Sequence, residues 1–280
     1  MVMLKGLSTS MNAKILGTGG EDEVIVLGHG YGGEQSLWEK IVPSLEEKHQ
    51  VVLFDWNFSG AFNTNIENNN NNNHGFDPLK YNSLDVFADD LVHLLDEMNI
   101  KSCVFVGHSM SGMIGCIASI KRPHLFTKLI LIGASPRYIN SEDYEGGFEA
   151  TQIEQLLSTI ESNFQPWATA FAPLAVGGKE PQLAEKFDKS LKKMKPEVAL
   201  AVAKIIFLGD YRHVLEKVET PCTIISTTND LVVPSSVPYY MQKKMINAKS
   251  RVEIIDVDGH FPHLTAHDEV LNVITKVLDS

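Results

Sequence analysis

Ser109, Asp230 and His260 carry the side chains from which a nucleophilic site can be assembled. Ser109 stands in Gly107-His108-Ser109-Met110-Ser111, which closes the apolar run Cys103-Val104-Phe105-Val106 and opens a segment of small residues from Gly112 to Ser119. A strand that turns into a helix across one residue lifts that residue onto a tight corner and aims the first free helix N–H groups at whatever it attacks. A serine hydroxyl is a weak nucleophile at neutral pH and needs a base, ordinarily an imidazole held by a carboxylate. His260 follows the last apolar run, in Val257-Asp258-Gly259-His260-Phe261-Pro262-His263-Leu264, and the glycine before it allows a sharp approach. Asp230, in Thr227-Thr228-Asn229-Asp230-Leu231, follows the preceding run and supplies the carboxylate. Asp256 and Asp258 are rival acids. His263 and His267 are rival bases, without the glycine or the placement at a strand end.

An oxyanion formed on Ser109 needs donors. Gly28-His29-Gly30-Tyr31-Gly32-Gly33 follows the first clear apolar run and can turn the Tyr31 N–H toward the serine, with the Met110 N–H at the helix start as the second donor. A glycine-rich loop after a strand also suggests dinucleotide binding, but the order G-H-G-Y-G-G is read as lacking the G-x-G-x-x-G spacing, and no acidic ribose binder is needed to explain the chain. Ser111 stands where glycine is common, and is small enough for strand and helix to approach.

The elements that must position these residues are legible. Val24–Leu27, Val51–Phe54, Cys103–Val106, Lys128–Ile132, Cys222–Ser226 and Val252–Ile255 are short, β-branched runs separated by helical stretches such as Ser83 to Met98. Strands apolar on both faces that alternate with helices predict a mostly parallel sheet covered on both sides, with ligands at the carboxyl ends of the strands. The chain order Ser109, Asp230, His260 is that of an α/β-hydrolase. Between Ile132 and Pro221 the pattern becomes helical alone: Phe148 to Ile160, Pro166 to Leu174, Gln182 to Met194 and Pro196 to Phe207. That predicts a four-helix cap, residues 136–214, inserted in a core made of 1–135 and 215–280. Its apolar inventory (Tyr138, Phe148, Phe164, Trp167, Phe171, Leu174, Phe187, Ile205, Ile206 and Phe207) exceeds what four short helices need for mutual packing, so part of it lines a cavity. Lys186, Lys189, Lys192 and Lys193 read as a solvated helical face, and the run Asn68 to Asn73 as a surface loop with no apolar surface to offset the entropy of ordering it.

The chain of 280 residues is 44% hydrophobic and carries a net charge of −11. With no Lys/Arg stripe, that charge argues against nucleic acid. No run approaches the ~20 apolar residues of a membrane span, and Met1 to Gly6 is too short for a secretory signal. Three cysteines in apolar segments argue against a disulfide framework or a zinc site, so no metal or cofactor is expected and a reducing compartment is.

Taken together, Gly107 to Gly115, Arg122-Pro123, Ala134-Ser135-Pro136-Arg137-Tyr138, Asp143-Tyr144, Gly146-Gly147-Phe148-Glu149, Phe171 to Gly178 and Asp210-Tyr211-Arg212-His213 resemble the plant strigolactone and karrikin receptor-hydrolase family from about Ser10 onward, and most closely its third, less-characterised branch. The resemblance implies two V-shaped helix pairs over a deep hydrophobic pocket, lined at Tyr31, His108, Met110, Tyr138, Phe148, Trp167, Phe171 and Phe207. It implies slow hydrolysis of a butenolide or ester signal by a monomer of cytoplasm and nucleus. It also implies an F-box protein and repressors as partners, engaged after a ligand-dependent change in the cap. An alternative is a receptor whose hydrolysis is incidental to its output. The family usually has phenylalanine at Tyr31, valine at Met110 and lysine at Asn229, and such changes alter ligand choice by about 1 to 3 kcal/mol.

Overall fold

The β-branched runs become strands because their side chains fit a pleated surface buried on both faces. The computed structural model describes residues 6–19, 24–62, 76–177 and 180–280, so the Asn68 to Asn73 run lies outside the described residues. The strands are β1 (Lys14–Leu16), β2 (Val24–Gly28), β3 (Val51–Leu53), β4 (Cys103–His108), β5 (Phe126–Ile132), β6 (Cys222–Asn229) and β7 (Ser250–Asp258). Their order is β1-β3-β2-β4-β5-β6-β7, parallel throughout except where β1 pairs antiparallel with β3 at the edge. Six of the seven strands fall on runs expected from the sequence. The exception is β1, whose three residues include none that is buried.

Outside the sheet lie α1 (Leu7–Ser10), α2 (Val42–Glu46), α3 (Leu84–Glu97), α4 (Met110–Lys121), α5 (Ala150–Val176), α6 (Pro181–Lys192), α7 (Pro196–Leu208), α8 (Ser236–Lys244), α9 (Pro262–Thr265) and α10 (His267–Leu278). Alternate strand residues feed two cores. Val24, Val26 and Phe105 join Leu91 of α3 and Ile114 of α4 on one face, while Ile25, Leu27, Val104 and Val106 join Leu45 of α2 and Ile274 of α10 on the other.

Register places the loops that matter side by side. Gly28 pairs with Gly107, so the glycine loop after β2 and the corner after β4 leave the sheet together. Asn229 pairs with Asp258, which sets the loops bearing Asp230 and His260 next to each other.

Helices α5, α6 and α7 lie between β5 and β6. Asn163 breaks α5, with φ −153° and ψ 49°, so the segment forms two limbs, and Pro166 sits in the first turn of the second, where its missing N–H removes no helical bond. The stretch is not helical alone, as the sequence suggested. Isolated bridges Arg137–Asp210, Ile139–Phe148 and Ser141–Tyr144 tie its base, where aperiodic sequence carried no strand signal. Arg137 Nη1 lies 2.7 Å from Asp210 Oδ2, and the hydrogen bond from Arg212, followed by that from Arg137, holds the Asp210 carboxyl down at about 2. Both chain crossings into these helices are thereby pinned together.

Candidate active site

Ser109 takes φ 56° and ψ −124°, a conformation that costs a non-glycine residue about 1–3 kcal/mol and persists only where its surroundings enforce it. The Ser109 N–H donates to Ile132 O at 2.7 Å, and the Gly112 N–H to Ser109 O at 2.9 Å. A Cβ on Gly107 would lie 2.6 Å from the Ser111 carbonyl carbon and oxygen, so no side chain fits where strand and helix meet. Gly107→Ala is therefore expected to lower stability by about 1–3 kcal/mol in a denaturant titration, and an unchanged midpoint would contradict the packing.

Ser111 does more than stay small, as the sequence reading had it. Its Oγ donates to His29 O and accepts from Trp56 Nε1 at 2.9 Å, which ties the serine corner to the glycine loop. A Cβ on Gly30 would meet Ser109 Cβ and His108 Nδ1, each at 2.9 Å, so the loop carrying the Tyr31 N–H lies against the serine. Met110 is the first residue of α4, where N–H groups have no intrahelical acceptor. Gly28, Gly30 and Gly33 do fall at the G-x-G-x-x-G spacing. The loop, however, leads into a short 3₁₀ turn at Gln35–Trp38 instead of a long helix whose N-terminus could take a pyrophosphate.

Tyr31 also reaches upward. Its hydroxyl donates to Ala199 O in α7 at 3.0 Å, and Ser190 Oγ in α6 donates to Gly32 O at 2.8 Å. Tyr31→Phe keeps the ring and removes one buried bond, so a loss of about 1 kcal/mol is expected from thermal or denaturant unfolding; no loss would mean the tether is idle.

His260 Nδ1 donates to Asp230 Oδ2 at 2.6 Å, with the two side chains 5% and 1% exposed. Asp230 Oδ1 accepts the N–H groups of Val232 and Val233 at 2.7 and 3.1 Å, which fixes the carboxylate. With Nδ1 protonated, Nε2 of His260 is the acceptor, and it is buried without a protein partner among the described residues. The rival acids are engaged elsewhere, Asp256 with Thr228 Oγ1 at 3.0 Å and Asp258 with Asn229 Nδ2 at 2.7 Å. His267 lies by Asp268 at 3.7 Å.

His263 packs at a tilt against Trp38, 4.5 Å between ring centroids, and burial pushes its pKa down to about 3. His29 and His108 are also lowered, each first by burial. A histidine kept neutral in the fold takes up a proton on unfolding once the pH drops below its ordinary 6.5, so stability is full above that value. It falls with added acid, by about 1.4 kcal/mol per pH unit for each such histidine. Denaturant midpoints measured from pH 7 down to about 5 should show that fall, with a shallower slope in His263→Phe; a flat profile would contradict neutral burial.

Between the glycine loop, the serine corner and the helices above lies a cavity with about 350 Å³ of empty space, part of it open to solvent. Its walls are Tyr31, His108, Ser109, Tyr138, Phe171, Phe187, Ile206, Phe207, Val232, His260 and Phe261. Two residues expected in the wall stand behind it. Phe148 packs edge-on to Phe207 at 6.3 Å, and Trp167 stacks on Phe171 at 4.9 Å. Met110 is buried at the corner without lining the cavity, and Leu174 of the apolar inventory points to solvent at 58% exposure. Val232 and Phe261 were missed as wall residues, although Phe261 follows His260 directly and Val232 stands two residues after Asp230. Such a chamber can take an apolar molecule and bring one polar, reactive bond to Ser109.

An α/β-hydrolase fold model matches residues 23–266. A strigolactone esterase of Pisum sativum is 42% identical over 92% of this chain and 92% of its own. A karrikin insensitive 2 receptor of Petunia hybrida is 42% identical over 99% and 96%. Among solved structures, a hydrolase from Oleispira antarctica superposes with a TM-score of 0.90 at 29% identity, covering 99% of this chain and 97% of that one. The chain belongs to the α/β-hydrolase fold family and, within it, to the receptor-hydrolase family of the strigolactone esterases and karrikin insensitive 2 receptors.

Proposed function

We propose that this protein is a serine hydrolase that cleaves a small hydrophobic butenolide or ester signal through an acyl intermediate on Ser109, with slow turnover and an output in signalling. The observation that carries this reading is the buried His260–Asp230 pair at 2.6 Å, whose open Nε2 shares a cavity wall with Ser109. His260 Nε2 takes the Ser109 proton as Oγ attacks the carbonyl carbon. The oxyanion is met by the N–H groups of Tyr31 and Met110, and the leaving oxygen departs with the proton from His260. Water activated by the same nitrogen then releases the acyl group. The apolar walls select a hydrophobic substrate.

The esterase and receptor relatives support the link to signalling. On that reading the protein acts as a monomer in cytoplasm and nucleus and engages an F-box protein and repressors. Identities of 42% to a strigolactone esterase and 42% to a karrikin receptor favour neither group, in keeping with a separate branch. A fluorogenic butenolide ester mixed with the purified protein should give a burst near one equivalent followed by slow release. Release without a burst, or none at all for any hydrophobic ester in a panel, would overturn the proposal.

A further inference from the structure

The main chain of His260 is held from two sides. Its N–H donates to the Ala175 carbonyl at 2.7 Å, and its own carbonyl accepts from His108 Nε2 at 2.8 Å. Ala175 lies in the last turn of α5, where helix carbonyls have no intrahelical donor, so a free carbonyl of the cap supplies the first hold. The approach is close. A Cβ on Gly177 would lie 2.7 Å from Asp258 O and from Gly259 Cα, and Gly259 itself takes φ +98°.

The second hold begins one residue before Ser109. His108 ends β4, where it pairs with Ile132, and its ring lies 4.9 Å from that of His260, 4.6 Å from Phe261 and 4.5 Å from His263. A carbonyl can only accept, so Nε2 of His108 carries the proton. Burial, with the neighbouring His263 and His260, keeps the ring neutral by pushing its pKa well below the ordinary value.

We propose that His108 is a positioning residue for hydrolysis: it fixes the His260 backbone to the rigid end of the serine strand, so the imidazole keeps its place against Ser109. The inference deepens the serine-hydrolase reading and rests on it. The physical need is clear from the loop. Asp230 holds only the far edge of the ring. The chain before His260 is held at Gly259, whose N–H donates to Asn229 O at 2.9 Å and whose carbonyl accepts from Thr227 Oγ1 at 2.7 Å, so the His260 carbonyl on the other side needs a hold of its own. A displacement of about 1 Å between base and nucleophile costs about 10²-fold in rate.

His108→Phe keeps the ring packing and removes the donor, whereas His108→Gln offers an amide N–H of similar reach. In the Phe variant, single-turnover acylation by a fluorogenic butenolide ester should slow about 10²-fold with KM within about threefold of wild type. The Gln variant should recover to within about tenfold of wild type. Titration of the His260 imidazole by NMR needs no substrate; the titratable groups facing that ring are Asp230, His108 and His263. Its midpoint should move in the Phe variant and return in the Gln variant. Wild-type acylation in the Phe variant, equal losses in both, or a loss confined to KM would overturn the proposal. If wild type forms no Ser109 adduct while the His260 titration still depends on His108, the hold on His260 stands and the hydrolase reading falls.

Discussion

Ser109→Ala is expected to abolish acyl-enzyme formation and to slow release of the leaving group on the order of 10⁶-fold, the scale seen when a serine nucleophile is removed from a triad. The other hydroxyls in the cavity wall, of Tyr31 and Tyr138, are phenols that burial pushes above the ordinary value, which leaves both poor nucleophiles. The variant should remain folded, because alanine keeps the Cβ and the main-chain bonds to Ile132 and Gly112 that hold the corner. Intact-mass spectrometry and a thermal melt together check both halves. An adduct retained in the alanine variant would remove Ser109 as nucleophile.

Asp230→Asn should lower kcat about 10⁴-fold, the size of the same exchange in a serine protease, with the melting midpoint little changed. The two oxygens of Asp230 do different work. Oδ1 accepts from Val232 and Val233, and an asparagine oxygen placed there preserves the turn. The amide then stands at Oδ2, where it donates to His260 Nδ1 instead of accepting from it. The imidazole is forced into the opposite tautomer, with a proton on the nitrogen that must take one from Ser109. A near-normal rate in the purified variant would move the carboxylate role to Asp256 or Asp258, against their present bonds to Thr228 and Asn229.

Most of what positions this site was legible because it follows from local chemistry. A buried strand ending in Gly107 and a run of small residues announce the corner at Ser109, and Asp230 and His260 are marked by falling just past strand ends. Strand β1 was not legible, since Lys14-Ile15-Leu16 is too short and too exposed to show alternation. The wall of the cavity was legible only in part. Aromatic residues on amphipathic helices face inward at several depths, and sequence does not separate Phe171, in the wall, from Trp167, stacked behind it. The bond from Ser111 to His29 joins residues far apart in the chain, as does the Arg137–Asp210 latch, and no local pattern signals either. Size alone suggested a spacer at Ser111, while the fold makes it a strut between the Ser109 corner and the glycine loop.

Rapid acid quench during the burst, followed by peptide mapping of the added mass, addresses the covalent step most directly. One acyl group on the peptide that carries Ser109, present before steady-state release and missing from Ser109→Ala, is the expected result. Product formed at the wild-type rate with no acylated Ser109 at any quench time would contradict a serine hydrolase.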